Sequence, residues 1–210
     1  MAKNKGKKKR FFEVSIPIIG KETQVQAYDI EELEGKFIKY DLTRMLKGKS
    51  LELRLIIHVA NDKATAVPIR TTLMPYFIRR VLRKGTNYVE DSFPVDCKDS
   101  KLRIKPFLIT RKKVSRAVRN ALRQKTKEEL TLYVKNKSAE KIFEDIVHNK
   151  MQRPLSLTLK KIYPLSMCDI RVLEFKGTLT EKKKTKKVAP EKVHEDKIEN
   201  MTEEVVLEKQ

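Results

Sequence analysis

The side chains best suited to chemistry in this sequence are arginines and lysines that recur at helical intervals. Four of them follow one another at spacings of four, three and four residues: Lys112, Arg116, Arg119 and Arg123. That spacing predicts one face of a helix, and the stretch 112–123 contains no acid that could pair with them. Because a guanidinium group binds phosphate bidentately and stacks on unpaired bases, this face predicts contact with a nucleic acid.

A second basic set follows the same design in a shorter predicted helix. That helix is expected to begin with Thr71 or Thr72 as its cap and Pro75 in its first turn, and to end at Gly85. With the residues that extend the first face and those of the N-terminus, the candidate RNA-binding residues are Arg111, Lys112, Lys113, Arg116, Arg119, Arg123, Arg79, Arg80, Arg83, Lys84, Lys7, Lys8, Lys9 and Arg10.

The sequence carries no arrangement typical of catalysis. The histidines His58, His148 and His194 stand apart from one another and are interpreted as surface residues. Cys97 and Cys168 match no metal-ligand spacing and are expected to be reduced thiols of a cytosolic protein. With only six glycines there is no glycine-rich phosphate loop, so no cofactor, metal site or enzymatic activity is predicted.

The charge of the chain favours a polyanionic partner. Its 210 residues carry 48 Lys plus Arg against 28 Asp plus Glu, a formal net charge of +20. Residues 1–10 hold six of these charges and residues 177–210 are balanced, so residues 11–176 keep +14. Self-repulsion of this excess raises the free energy of the folded state, and bound phosphates would relieve it. A lysine-rich thermophilic surface is the alternative, but such surfaces interleave Glu with Lys.

Composition divides the chain into a body and two charged tails. We expect a basic N-terminal tail over 1–10, a single folded domain over 11–177 and a flexible charged C-terminal tail over 178–210. The C-terminal stretch is too poor in apolar residues to offset its ordering entropy. No apolar run approaches the roughly 18 residues of a membrane span, and the lysine-rich start argues against a signal peptide.

The elements that must position the basic faces begin with short strands. The clearest is 51–59, where every odd residue is apolar, which predicts a strand with one buried face. A turn at 61–63 is expected to return the chain through a paired strand at 64–69. Further strands are predicted at 12–16, 23–28, 37–40, 88–95, 102–109 and 167–175, with 88–95 and 102–109 as an antiparallel pair.

Helices interrupt these strands. Apolar spacing predicts a helix over 114–134, either continuous or divided near Lys125, then one over 139–148 capped by Ser138 and a short one over 154–162. Strands and helices without regular β-α-β alternation indicate an α+β fold. We expect a curled antiparallel sheet or a small β-barrel, flanked by three to four helices.

Four segments carry a resemblance to known proteins. They are Gly35-Lys36-Phe37 leading to Asp41-Leu42; Leu102-Arg103 through Phe107, Thr110 and Arg111-Lys112-Lys113; Glu128-Glu129-Leu130 through Ser138 to Val147; and Ile162-Tyr163-Pro164-Leu165. In this order they resemble the archaeal and eukaryotic small-subunit ribosomal proteins of the S-one-e, or S-three-A-e, family. The resemblance spans roughly residues 10–177, and the lack of long terminal extensions makes the chain similar to archaeal members.

The resemblance implies a barrel-like α+β body on the platform of the small subunit, near the messenger exit and the 3′ end of the rRNA. It implies a cytoplasmic structural component without known catalysis. Its implied partners are small-subunit rRNA and neighbouring ribosomal proteins, with messenger RNA near the exit as a further candidate and no membrane. The alternative is a free RNA-binding or RNA-modifying factor that visits ribosomes. A modifying enzyme would need a pocket of convergent acids, a metal or a cofactor motif, and the sequence shows no such set.

Overall fold

Alternating apolar residues build a mixed sheet, which helices cover in the second half of the chain. The computed structural model describes residues 8–46 and 48–178. Its strands are β1 (Arg10–Ile16), β2 (Lys21–Ala27), β3 (Phe37–Asp41), β4 (Leu51–Ala60), β5 (Lys63–Leu73), β6 (Tyr88–Glu90), β7 (Phe93–Asp96), β8 (Ser100–Thr110) and β9 (Leu165–Thr178). Its α-helices are α1 (Pro75–Val81), α2 (Arg116–Lys135), α3 (Ala139–Val147) and α4 (Gln152–Lys160), and a short 3-10 helix spans Ile30–Leu33. Most of both predicted tails lies outside the described residues.

The sheet is organised around β5. One edge of β5 pairs antiparallel with β4, while its other edge pairs with β1 near Ala64 and with β9 from Arg70 to Thr72. The β1–β5 pairing is parallel, which makes the sheet mixed. Beyond β9 lies β8, whose far edge pairs with both β6 and β7. Within the described residues these pairings form an open sheet, so the predicted α+β class is confirmed and a closed barrel is not formed.

Two hydrophobic clusters stabilise the sheet. The first joins β1, β4, β5 and α1 and includes Leu55 and Phe77. The second joins β6–β9 to α2, α3 and α4 and includes Ile104 and Leu122, both fully buried. Burying a side chain of this size contributes about 1.5–3 kcal/mol. The second cluster therefore fixes α2, with its basic residues, onto the sheet.

Most strand predictions are confirmed, with one division. In β4 the odd residues from Leu51 to Ile57 are buried, as the alternation predicts. The turn before β5 places Asn61 and Asp62 at φ values of 50° and 56°, which match the twist of a tight hairpin. The predicted strand 88–95 is instead two short strands, β6 and β7. They are separated where the Asp91 carboxylate accepts a hydrogen bond from the Ser92 amide at 2.8 Å.

The predicted start and end of the first helix are wrong. Thr71 and Thr72 lie inside β5, because its pairing with β4 continues as far as Leu73, and Met74 occupies the N-cap. Pro75 does begin α1, as expected. The helix ends at Val81 rather than at Gly85, since Leu82 is already extended (φ −69°, ψ 118°).

The second helix is continuous but begins later than its basic run. Ser115 is the N-cap and accepts a hydrogen bond from the Val118 amide at 3.4 Å, so residues 111–113 precede α2. The helix passes through Lys125 without a break. The last helix, α4, begins two residues before the predicted Pro154. No helix among the described residues has the length and apolar character needed to cross a membrane.

Candidate nucleic-acid interface

The centre of the candidate site is a groove between α2 and β6, which we call the α2 groove. Three arginines of α2 line it, spaced three and four residues apart as predicted: Arg116, Arg119 and Arg123. Ala117 and Asn120 complete the helical wall, and Tyr88 and Val89 of β6 form the other. The groove has a volume of about 590 Å³, and no acidic residue lines it.

The three arginines form no ion pair with any described acid. The nearest acids along the helix, Glu128 and Glu129, lie within 3.2 and 3.4 Å of Lys125 instead. The Nε atom of Arg119 is buried and has no hydrogen-bond partner within the described protein. An external anion in the groove would therefore be bound by the other guanidinium donors of the three arginines.

The residues before α2 extend the positive charge but do not share its face. Arg111, Lys112 and Lys113 are exposed in the bend between β8 and the N-cap. The Lys112 carbonyl accepts a hydrogen bond from Thr110 Oγ1 at 2.7 Å, which ties this bend to the end of β8. The predicted helical face therefore consists of the three arginines without Lys112, because Ser115 sets the start of the helix.

The first basic set is dispersed. Arg79 and Arg80 lie on α1, whereas Arg83 and Lys84 follow its end and are exposed in the loop that leads to β6. Arg80 donates a hydrogen bond from Nη2 to the Gly48 carbonyl at 2.8 Å. Its guanidinium also lies 5.2 Å from the centre of the Phe77 ring. The prediction of one shared helical face is wrong for this set, because the helix ends at Val81.

The N-terminal candidates lie partly in the described chain. Lys7 falls outside the described residues. Lys8 precedes β1, and Lys9 Nζ lies 5.6 Å from the centre of the Tyr28 ring. Arg10 opens β1 and pairs with Ala27 of β2. The cavity beside Lys8 and Arg10 is also lined by Asp29 and Glu31, so its charge is mixed.

Sequence reasoning missed a basic row across the outer face of the sheet. Lys39 of β3, Arg54 of β4 and Arg70 of β5 are register partners, which places their side chains side by side. Arg54 lies 4.3 Å from the centre of the exposed Phe37 ring. Each of these residues takes an outward position in the alternation of its own strand, and this signal is visible in the sequence. Their alignment in one row depends on the register between strands, which a local pattern does not show. Asp41 and Glu52 form the next pair along, so this row is less uniformly basic than the α2 groove.

A buried ion pair anchors the C-terminal end of α2 to α3. Asp145, which is buried, accepts hydrogen bonds from Tyr133 Oη at 2.9 Å and from Lys137 Nζ at 2.5 Å. Burial by itself raises the pKa of Asp145, but these two hydrogen bonds and the charge of Lys137 outweigh it and lower the pKa below its ordinary value. The charged carboxylate is therefore the form that holds α2 and α3 together.

The groups with potential for catalysis are engaged or isolated. Burial raises the pKa of the Cys168 thiol to about 12, which keeps it protonated, and Cys97 Sγ hydrogen-bonds to Ser100. His58 and His148 are exposed, as predicted, and His194 lies outside the described residues. Across residues 8–46 and 48–178, no group of three or more His, Cys, Asp or Glu side chains could hold a metal ion.

The fold and the groove together define a basic α+β protein with a rigid, acid-free arginine face suited to a polyanion. Residues 1–176 match the ribosomal S3Ae family, and the chain belongs to that family. The resemblance that the four sequence segments indicate is thereby confirmed. The family consists of ribosomal structural proteins and not of enzymes, and membership supports a structural role in the small ribosomal subunit.

Three relatives carry the name small ribosomal subunit protein eS1. The protein of Methanothermobacter thermautotrophicus is 32% identical over 120 residues, which cover 55% of this chain and 62% of that relative, less than two thirds of its length. The protein of Nanoarchaeum equitans is 25% identical over 166 residues, or 75% of this chain and 84% of the relative. The protein of Methanobrevibacter smithii is 24% identical over 177 residues, or 78% and 89%.

Proposed function

We propose that this protein is a structural constituent of the small ribosomal subunit that binds rRNA through the α2 groove. The observation that carries the proposal is the set of three arginines on one rigid helical face, without an acidic neighbour in the groove. Charges that serve only solubility do not need to line a groove that lacks acidic residues. A phosphate backbone is the ligand that this charge and spacing fit best.

The physical basis of binding is neutralisation by a surface that is already in place. Each phosphate contact releases counterions from the RNA, which makes the affinity fall with salt. The arginines of the α2 groove project from a helix held by the second hydrophobic cluster and by the Asp145 ion pair. Less conformational entropy is therefore lost per contact than for a chain that must order itself on binding.

The family resemblance supports a finer location for this role. We propose that the protein lies on the platform of the small subunit, near the messenger exit and the 3′ end of the rRNA, in the cytoplasm. Neighbouring ribosomal proteins would be its other partners, and messenger RNA near the exit is a further candidate. We also propose that the domain over 11–177 makes the principal rRNA contacts and that the charged segments 1–10 and 178–210 add to them.

Fractionation of ribosomes tests this proposal against a factor that visits ribosomes only in passing. The tagged full-length chain should co-sediment with small subunits at one copy per subunit after a wash in high salt. Loss of the protein in that wash, or a copy number well below one, would favour the transient factor.

Binding of the purified full-length chain to RNA tests the groove itself. The affinity for a structured rRNA fragment should fall with salt on a log–log plot, with a slope of about −0.7 to −0.9 per phosphate contact. Binding independent of salt would overturn the electrostatic account.

A further inference from the structure

The α2 groove contains one residue that phosphate binding does not require. Tyr88 of β6 forms the wall opposite the arginines, and 54% of its surface is exposed. The Tyr88 ring is therefore accessible to a ligand in the groove, whereas the neighbouring Val89 is buried in the second cluster. The groove therefore combines a flat apolar surface on one wall with three cations on the other.

The Tyr88 ring is held in place although it is exposed. Its backbone pairs with Ile109 of β8, and its ring centre lies 6.1 Å from that of Phe107, at an interplanar angle of 32°. Phe107 is only 1% exposed, so it provides a fixed support behind the tyrosine. A ring that is oriented before binding loses little entropy when a second flat group stacks on it.

We propose that the α2 groove binds one unpaired RNA nucleotide, with its base stacked on Tyr88 and its flanking phosphates on the arginines. This inference rests on the proposed function and adds a class of RNA structure to it. Base–aromatic stacking needs no particular base, because every base has a flat face. Asn120 lies in the same wall as the arginines and offers an amide donor and acceptor to the edge of the base.

The shape and charge of the groove favour a bulged nucleotide over a continuous duplex. Its volume of about 590 Å³ lies in the range of 300–1,000 Å³ that is typical of small-ligand sites. In an A-form helix the bases are stacked on one another and cannot reach an aromatic ring beside the backbone, whereas bulges and loops expose them. Glu90, the nearest acid on β6, pairs with Arg171 and does not line the groove.

The test compares two RNA hairpins with the same paired stem, one without a bulge and one with a single bulged 2-aminopurine, an adenine analogue whose fluorescence falls on stacking. The full-length protein should bind the bulged hairpin about 5- to 150-fold more tightly, the range that one stacked base provides. Its binding should also quench the 2-aminopurine. Tyr88→Leu should abolish both the preference and the quenching, and Tyr88→Phe should keep both.

Control variants separate this inference from the proposed function. Tyr76→Leu removes another exposed tyrosine, on α1, and should leave the preference unchanged. Arg116→Gln, Arg119→Gln and Arg123→Gln together should weaken binding to both hairpins.

Equal binding of both hairpins by the wild type, without quenching, would overturn the stacking inference and leave rRNA binding standing. Failure to bind either hairpin at low salt would overturn both. Circular dichroism shows whether Tyr88→Leu is folded, and if it is not, the presence or absence of 2-aminopurine quenching by the wild type decides the case.

Discussion

The two basic helices look alike in sequence and differ in what their arginines do. On α1 the helix is seven residues long, Arg80 bonds to the Gly48 carbonyl and lies over Phe77, and Arg83 falls beyond the helix end. On α2 the helix is 20 residues long, and its three groove arginines form no ion pair within the described protein. One set partly supports the fold, whereas the other is available to a ligand.

This difference shows that charge counted along a sequence is not charge available for binding. A guanidinium that already donates to a carbonyl must break that bond before it can bind phosphate, which reduces the net gain in free energy. An unpaired guanidinium on a rigid helix has no such competing bond.

The largest expected effect comes from removing charge from one set at a time. We expect Arg116→Gln, Arg119→Gln and Arg123→Gln together to lower the affinity for an rRNA fragment by about 100-fold and to flatten the salt slope by about two to three units. The matched control, Arg79→Gln with Arg83→Gln and Lys84→Gln, removes three charges of the first set that do not share one helical face, and it should cost less than tenfold. Fluorescence anisotropy over a salt series measures both, and equal losses would mean that charge count alone decides binding.

A second prediction compares, in cells, the arginines of the α2 groove with the basic residues of the N-terminus. The triple change in α2 should impair incorporation into small subunits more than deletion of residues 1–9, although the deletion removes five lysines. The groove is preorganised, and lysines bind phosphate only as point charges. Sucrose-gradient profiles of tagged variants give the readout, and circular dichroism confirms folding. Reversed severity would move the principal anchor to the N-terminus.

The anchor beneath α2 should have the next largest effect. Asp145→Asn removes the charge that holds Lys137 and Tyr133, and we expect unfolding in urea to show a loss of about 2 kcal/mol at pH 7. Because the pKa of Asp145 is lowered in the folded protein, its contribution is present above the unfolded pKa and is lost as the pH falls through the folded one. The stability gap between wild type and variant should therefore shrink in acid. A gap that widens there would contradict the ion pair.

Changing a single arginine of α1 should have a smaller effect on stability, and the two arginines of this helix should differ. Arg80→Met should lower stability by about 0.5–1 kcal/mol, because the hydrogen bond to the Gly48 carbonyl and the contact with Phe77 are lost. Arg79→Met, one position earlier, should change stability by less than about 0.5 kcal/mol, as is usual for a surface site. Chemical unfolding measures both, and indistinguishable values would remove the structural role given to Arg80.

The smallest expected effect on RNA binding comes from changing a basic residue outside the helical face of α2. Lys112→Gln should weaken RNA binding by only about two- to threefold and reduce the salt slope by about one unit or less, because Lys112 lies before the helix. Arg116→Gln should cost more, as it removes a bidentate donor from the groove. A loss for Lys112→Gln that matches Arg116→Gln would extend the interface into the bend.

Local pattern predicted a good part of this fold and of the site. The alternation in β4, the turn at Asn61 and Asp62, and the apolar spacing of α2 depend on residues a few positions apart, so each is visible in a short window, whereas this pattern alone does not decide whether α2 continues through Lys125. The helix boundaries were less accurate. The strand tendency of Thr71 and Thr72 became decisive only because β4 lies alongside to pair with them.

The sequence by itself determined the basic excess, the family resemblance, the α+β class and the spacing that puts Arg116, Arg119 and Arg123 on one helical face. Only the tertiary structure decided what stands opposite that face. Tyr88 is 28 residues before Arg116 in the chain, and it forms the other wall because β6 pairs with β8 and α2 packs across them. Helical and strand periods fix the direction of a side chain relative to its own element, but its neighbour is set by the packing and register of elements distant in sequence.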